Sequence, residues 1–263
     1  MATQKNQNSY VPPVKKLGAI GARKTLLMIF VVDHSGSMTG ERIKAVNQAF
    51  ERMIPELQQV QSSANDTFRL EIAVMVFGSV AEWIVPPTPI GEYIHTEIKA
   101  DGGGTSYGNA FRKLEEKLSR KEYFPSEGKI AKPYIMFMTD GKPLDSDYEA
   151  MIQKLENNLW YTQAQRYAVL MGKEAIQDPD ARAAVSAFVQ NNSESIITAK
   201  NAEEITKTVS ATTILAVNEM THLVPPEQAE PQPEQEEEED LVPPVKWDFG
   251  TDLTSLYGKD YKF

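Results

Sequence analysis

The chain has 263 residues, of which 41% are hydrophobic and 24% charged, and this balance suits one substantial water-soluble domain. It contains no cysteine and only 3 histidines, which argues against disulfides, a thiol nucleophile and thiolate or His-rich metal sites, so any metal is expected on oxygen ligands. The net charge is −10 without any concentrated basic stripe, which argues against a nucleic-acid partner.

The first part of the chain reads as an arm followed by a strand, a helix and a hairpin. Residues 1–24 are an arm, and residues 1–10 are polar and lack the apolar run of a secretory signal. The apolar run 26–32 is typical of a strand buried on both faces, and it is far too short to span a bilayer. Residues 41–60 carry apolar side chains at spacings of three and four, which predicts a helix kinked or broken at Pro55. Two strands joined as a hairpin are predicted next, at 68–77 and 80–85.

The second part of the chain alternates helices and strands. Helices are predicted at 107–120, 147–159, 178–190 and 202–217, and strands at 134–138, 166–171 and 195–198. Strands separated by amphipathic helices predict one doubly wound α/β domain over residues 25–217, with a mostly parallel sheet flanked by helices. Ligands of such sheets bind at the carboxyl ends of the strands, near the point where the strand order reverses.

Residues 218–263 form a predicted tail that is rich in proline, acidic residues and aromatic residues. Eight acidic residues and no basic ones lie within 227–240, so the rest of the chain has a net charge of only −2. The segment Val11–Lys15 recurs as Val242–Lys246, either as two related docking segments or by chance among 16 prolines. The acidic run is either a solvated spacer or an internal ligand for a metal site, and the aromatic end, 247–263, is a candidate docking peptide.

Three polar loops each follow a predicted strand and carry oxygen ligands. Asp33-His34-Ser35-Gly36-Ser37 places a carboxylate and two hydroxyls at alternating positions directly after the first strand. A run of three glycines, which lets the backbone approach closely, precedes one more hydroxyl, and a second carboxylate follows the strand at 134–138. Carboxylates and hydroxyls suit Mg²⁺, Mn²⁺ or Ca²⁺ rather than zinc or copper. The candidate metal ligands are Asp33, Ser35, Ser37, Thr105 and Asp140.

These three motifs in this order resemble the metal-ion-dependent adhesion site of von Willebrand factor A domains, without departure at the five metal positions. The resemblance covers about residues 25–217 and implies the Rossmann-like fold of that family. It implies that Ser35 and Ser37 bind the metal directly, and that Thr105 and Asp140 bind it directly or through water. Asp33 would bind through water and hold the loop. A partner's Asp or Glu would displace a metal-bound water, so the resemblance implies recognition of a protein and no catalysis.

Within that superfamily, the chain is similar to the TerY-type bacterial proteins linked to tellurite resistance and stress. The similarity rests on the helix that starts Glu41-Arg42-Ile43-Lys44 and on the Thr-Asp-Gly-Lys-Pro loop followed by Asp145 and Asp147. It implies a cytoplasmic bacterial protein in stress, tellurite-resistance or defence signalling. Its partners would include kinase or phosphatase proteins encoded nearby, and it would not bind a membrane.

Two other functions stay open at this point. An adaptor or structural subunit of a larger assembly would bind through the terminal arms, with the metal stabilising the fold. A metal-dependent hydrolase would need a general base. His34 lies between metal-facing residues and is expected to point elsewhere, and no Gly-x-Ser-x-Gly elbow is present, so we expect a protein that is not an enzyme.

Several residues near these loops have structural explanations. Asp101, Asp145 and Asp147 either cap helices or shape the surface offered to a partner. Trp83 and Trp160 are expected to pack in the core or at its rim.

Overall fold

The computed structural model describes residues 23–64, 67–124 and 129–222. Both Val-Pro-Pro-Val-Lys segments, the acidic run and the aromatic end lie outside these residues, so the hypotheses about them stay predictions. Of the predicted arm, only residues 23 and 24 are described, and Lys24 already belongs to the first strand. No helix among the described residues is long and apolar enough to cross a membrane.

A seven-stranded sheet forms the centre of the described part of the chain. Its strands are β1 Lys24–Asp33, β2 Phe68–Phe77, β3 Ala81–Pro89, β4 Lys129–Ile130, β5 Tyr134–Thr139, β6 Gln165–Met171 and β7 Ile196–Ala199. The strand order is β3-β2-β1-β5-β6-β7, and the short β4 also pairs with β1. β2 and β3 pair antiparallel, and the other pairs are parallel, which confirms the mostly parallel sheet.

Helices cover both faces of this sheet. They are α1 Glu41–Ser63, α2 Tyr107–Lys117, α3 Tyr148–Glu156, α4 Leu159–Gln163, α5 Lys173–Gln177, α6 Pro179–Phe188 and α7 Ala202–His222. Alternate residues of β1 face opposite sides because side chains alternate along a strand. Phe30 packs with the core beneath α1 and α7, whereas Ile29 packs with the core beneath α2, α3 and α6. This double burial explains the uninterrupted apolar run and confirms the doubly wound α/β fold.

Two predictions about helix continuity are wrong in opposite directions: a break at Pro55 and an unbroken helix over 147–159. α1 runs unbroken through Pro55, whose neighbours Met53, Ile54 and Leu57 are buried on the core side of the helix. Their packing outweighs the backbone hydrogen bond that proline cannot make. Conversely, the predicted helix 147–159 is two helices, because the Asn158 side chain accepts from the backbone N–H groups of Trp160 and Tyr161 and starts α4.

Other element boundaries shift for local reasons. α6 begins at Pro179, because the Asp178 side chain caps it, and the separate short helix α5 precedes that cap. β3 extends past the predicted end at residue 85 through a segment with three prolines, which an edge strand tolerates because it needs fewer backbone donors. α2 ends at Lys117, three residues early, and α7 continues five residues beyond the predicted end at Val217.

The segment that leads from β3 towards α2 is anchored to α1 by a polar network. The Asn47 side-chain oxygen accepts from the backbone N–H of Ile98 at 2.8 Å and from His95 Nε2 at 2.9 Å. Because Nε2 donates, Nδ1 is the acceptor, and it lies 3.1 Å from the Tyr93 hydroxyl. The ring also stacks on Phe50. This network holds the chain just before the glycine run.

Candidate metal centre

The candidate ligands lie at the sheet edge where strand order reverses, between β1 and β5. Because β1 and β5 are parallel neighbours, with Val32 opposite Met138, the loops that follow them meet at one edge. β1 ends at Asp33 and β5 ends at Thr139, one residue before Asp140. The topology therefore brings together residues more than 100 positions apart in the sequence.

The carboxylate of Asp33 is fully buried and is held by two hydrogen bonds. Its Oδ1 accepts from the backbone N–H of Ser35 at 2.8 Å, and its Oδ2 accepts from the Thr139 hydroxyl at 2.7 Å. Burial raises the pKa of Asp33, whereas the hydrogen bonds from Ser35 and Thr139 oppose that rise. Asp33 thus ties the loop after β1 to the end of β5.

The two serines and Asp140 form a row of oxygens. Ser35 Oγ and Ser37 Oγ are 3.1 Å apart, and the Ser37 hydroxyl donates to Asp140 Oδ1 at 2.7 Å. The side chain of Asp140 is 0% exposed. Three of the five predicted ligands are therefore in direct contact before any cation is considered.

The glycine run brings Thr105 to the same edge. The backbone N–H of Gly102 donates to His34 O at 2.9 Å, and the N–H of Gly36 donates to Gly103 O at 2.9 Å. Gly103 has a φ of +74°, a conformation that favours glycine. Thr105 is buried, and its hydroxyl oxygen lies beside Gly141, 3.9 Å from where a Cβ on that glycine would be. The loop that carries Thr105 therefore lies beside the loop that carries Asp140.

His34 turns away from this row of hydroxyls. Its Nδ1 lies 3.3 Å from the carbonyl oxygen of Lys99 and 3.4 Å from the carboxylate of Asp101. Its ring also fills the space that a Cβ on Gly102 would need. The prediction that His34 points elsewhere agrees with this geometry, and Asp101 contacts this histidine rather than capping a helix.

A buried hydroxyl network beneath the site was missed by the sequence analysis. The hydroxyl of Tyr107 lies 2.7 Å from Gly141 O, to which it donates, and 3.1 Å from Thr139 Oγ1. Tyr107 is fully buried, which raises its pKa well above the usual value. Thr139 directly precedes Asp140, and Tyr107 lies two residues after Thr105, so polar side chains at these positions were the available signal. Their hydrogen bonds support Asp33 and the Asp140 loop from below.

Asp145 caps a helix, and Asp147 forms an ion pair. The Asp145 carboxylate accepts from the backbone N–H groups of Tyr107 at 3.0 Å and Gly108 at 2.5 Å, which holds the start of α2 directly after Thr105. Asp147 precedes α3 without a side-chain cap bond and pairs with Arg112 at 2.6 Å. Trp83 packs edge-on against Tyr123, and Trp160 stacks on Phe124, so both tryptophans pack against aromatic neighbours as expected.

Arg42 is a second residue whose role at the site was missed. Its Nη1 donates to Asp140 Oδ2 at 2.7 Å and to Ser37 O at 3.1 Å, and its Nη2 donates to Glu174 Oε2 at 2.9 Å. In the sequence, this arginine stands out only as part of the family resemblance. Its place in the first turn of the helix after the ligand loop was the signal that could have identified it.

The donor set fits a hard divalent cation. Two carboxylates and three hydroxyls provide oxygen ligands of the kind that Mg²⁺, Mn²⁺ and Ca²⁺ prefer. Among the described residues, no three or more His, Cys, Asp or Glu side chains cluster in a way that could hold a metal. A cation at this edge would therefore depend on the serine and threonine hydroxyls as well as on Asp33 and Asp140.

Comparisons with known proteins agree with this fold. Residues 28–142, which include all five candidate ligands, match the family model for the von Willebrand factor type A domain. A search of curated proteins found no match.

Solved structures share the architecture at low sequence identity. Proximal thread matrix protein 1 from the mussel byssus is 15% identical with a TM-score of 0.52, covering 74% of this chain and 49% of that one. An ArnB paralog from Sulfolobus acidocaldarius is 17% identical with a TM-score of 0.51, covering 72% and 45%. The pilus adhesin SpaC from Lactobacillus rhamnosus GG is 13% identical with a TM-score of 0.58, covering 76% and 32%. The chain thus spans less than half the length of each of these proteins. The family model thus supports a von Willebrand factor A-type domain over residues 28–142, and the solved structures show that this chain shares their fold.

Proposed function

We propose that this chain is a metal-dependent protein-interaction module that binds a carboxylate of a partner protein through one divalent cation, Mg²⁺, Mn²⁺ or Ca²⁺. Domains of the von Willebrand factor A type often mediate metal-dependent protein interactions. The observation that carries the proposal is the row of oxygens from Ser35, Ser37 and Asp140, at 3.1 Å and 2.7 Å, at the sheet edge where α/β folds bind ligands.

The roles of the residues follow from their positions. Ser35, Ser37 and Thr105 would contribute hydroxyl oxygens, and Asp140 would contribute its Oδ1. Asp33, tied down by Ser35 and Thr139, would contribute negative charge from beneath the loop. The cation supplies positive charge and room for one further oxygen ligand, which a partner's Asp or Glu would provide.

We propose recognition rather than catalysis at this site. Water activation by a metal would require a general base that faces the attacking oxygen. His34, the imidazole nearest in sequence to the ligand loop, contacts Lys99 O and Asp101 instead. The donor set itself provides only carboxylates and hydroxyls that would be occupied as ligands.

The first test is a calorimetric titration of Mg²⁺, Mn²⁺ and Ca²⁺ into metal-free protein. One saturable site is expected in the wild type, and its loss is expected in Asp33→Ala and in the double variant Ser35→Ala/Ser37→Ala. The double variant Ser62→Ala/Ser63→Ala is the matched control, since those hydroxyls bond to backbone carbonyls within α1. Absence of binding in folded wild-type protein would refute the proposal.

A partner, once isolated, separates recognition through the metal from binding through the arms. Asp140→Ala should abolish partner binding in a folded protein if the cation makes the contact. Retained binding together with lower stability would favour an adaptor that binds through its terminal arms.

The similarity to TerY-type proteins extends the proposal to bacterial stress, tellurite-resistance or defence signalling in the cytoplasm, with kinase or phosphatase proteins as partners. A strain that carries Asp140→Ala should then lose tellurite or stress tolerance to the same degree as a deletion strain. Wild-type tolerance in both strains would refute this context.

A further inference from the structure

Arg42 contacts the three segments that follow β1, β5 and β6 at the candidate metal centre. Its guanidinium bonds to the carbonyl of Ser37 after β1, to the carboxylate of Asp140 after β5, and to Glu174 in the helix after β6. The bond to Asp140 uses Oδ2, whereas the Ser37 hydroxyl uses Oδ1 of the same carboxylate. One oxygen of Asp140 therefore faces the hydroxyl row, and the other faces a fixed positive charge.

The fold leaves a specific space for this guanidinium. It lies against Gly172, which has a φ of +89°, and a Cβ at that position would come within 2.8 Å of Arg42 Nη2. The arginine side chain is 31% exposed and its partner Asp140 is 0% exposed, whereas Glu174 is 79% exposed. The pair with Asp140 is thus the shielded interaction, and the pair with Glu174 is largely screened by water.

We propose that Arg42 is a built-in counter-cation of Asp140 that weakens binding of the divalent cation and makes the metal-loaded centre more electropositive. This inference rests on the proposed metal-dependent function. The two carboxylates alone would neutralise a divalent cation, and Arg42 adds one positive charge to that balance. A centre with excess positive charge attracts an anionic ligand such as a partner's carboxylate more strongly.

The position of Asp140 does not depend on Arg42. Ser37 donates to Oδ1, and the flanking residues Thr139 and Gly141 are both held by hydrogen bonds from below. Loss of Arg42 should therefore leave the carboxylate in place with its full negative charge. A divalent cation at Oδ1 and the Arg42 guanidinium at Oδ2 would repel each other across one carboxylate. With water-like screening, this Coulomb repulsion corresponds to about a tenfold change in affinity for the cation.

The test compares wild type with Arg42→Gln, using Mn²⁺ alone as the probe in calorimetry and in thermal unfolding. Without metal, Arg42→Gln should unfold at a lower temperature, because a buried carboxylate has lost its charged partner. Its dissociation constant for Mn²⁺ should be about tenfold lower, and Mn²⁺ should raise its unfolding temperature more than that of wild type. If Arg42 had only a structural role, Arg42→Gln would unfold at a lower temperature without metal, but neither its Mn²⁺ affinity nor its stabilisation by Mn²⁺ would increase.

Arg69→Gln is the matched control. Arg69 pairs with the buried Glu71 at 2.8 Å near the amino end of β2, at the opposite end of the sheet from the candidate site. The Arg69→Gln substitution should lower the unfolding temperature and leave the affinity for Mn²⁺ unchanged. Arg42→Lys, which keeps the charge, should retain an affinity close to that of wild type.

The outcomes separate the inference from the function on which it rests. Unchanged or weaker Mn²⁺ binding by Arg42→Gln, or equal tightening by Arg42→Lys, would overturn the inference and leave the proposed function intact. Absence of binding by wild type and Arg42→Gln alike would overturn both. If Arg42→Gln does not fold, Glu174→Gln decides, since removing this exposed carboxylate leaves Arg42 less compensated. Mn²⁺ affinity should then fall by about twofold, and an unchanged affinity would overturn the inference.

Discussion

Thr139→Val should lower the free energy of unfolding by about 2 to 3 kcal/mol, the range for loss of a hydrogen bond to a buried charged group. Valine matches the shape of threonine, and both Thr139 and Asp33 are fully buried, so the change removes a hydroxyl with little change in volume. The lost bond is the 2.7 Å donation to Asp33 Oδ2, and water cannot easily replace it. The hydroxyl of Tyr107 keeps its acceptor at Gly141 O, so the main loss is at the carboxylate, with a weaker loss at the backbone N–H of Gly141, which lies 3.3 Å from Thr139 Oγ1.

Thr213→Val is the matched control for this prediction. Thr213 is also fully buried, but its hydroxyl lies 3.0 Å from the Tyr134 hydroxyl and bonds to Val209 O, so no charged group is involved. Urea unfolding of both variants should give a loss of about 1 kcal/mol for Thr213→Val. Equal losses in the two variants would refute the argument that Thr139 supports an ionised Asp33.

Two further predictions concern the segments that position the site. Burial lowers the pKa of His95 below its ordinary value of 6.5, although Glu51 and Glu97 oppose this, so the folded state binds fewer protons than the unfolded state. The contribution of His95 to the free energy of unfolding should be complete above pH 6.5 and fall as the pH drops below that value. Urea unfolding at several pH values should show that His95→Phe removes this part of the pH dependence. An identical pH profile in wild type and variant would contradict the prediction. Gly78→Ala would place a Cβ 2.3 Å from Gly102 O, so we expect a loss of about 1 to 3 kcal/mol and weaker Mn²⁺ binding through a displaced Thr105 loop. Gly91→Ala, where nothing lies within 4 Å of the added Cβ, is the control, and equal effects on Mn²⁺ affinity would contradict this explanation.

Much of the fold could be predicted from the sequence, because its signals are local. β1 is buried on both faces by helices, so it reads as an uninterrupted apolar run, and α1 shows its buried face at spacings of three and four. Asp33 and Asp140 directly follow such strands, and parallel neighbouring strands end at one edge. The meeting of these two carboxylates at one edge therefore followed from strand pattern and residue type.

The errors in the predicted elements arise where tertiary packing or side-chain capping overrides a local rule. Pro55 is tolerated inside α1 because the residues around it are buried, which no local propensity describes. Asn158 ends one helical segment and starts the next because its side chain, rather than a change in periodicity, satisfies the first N–H groups of α4.

Only the tertiary structure decided how the site is supported and charged. Arg42 meets Asp140 from 98 positions away and Glu174 from 132 positions away, and Thr139 meets Asp33 from 106 positions away. Such pairs have no spacing rule, since they depend on which strands become neighbours and on where a helix begins relative to the loop before it. The sequence by itself determined the layered fold and the oxygen-rich edge. The balance of charge at that edge depends on contacts that exist only once β1, β5 and β6 lie side by side.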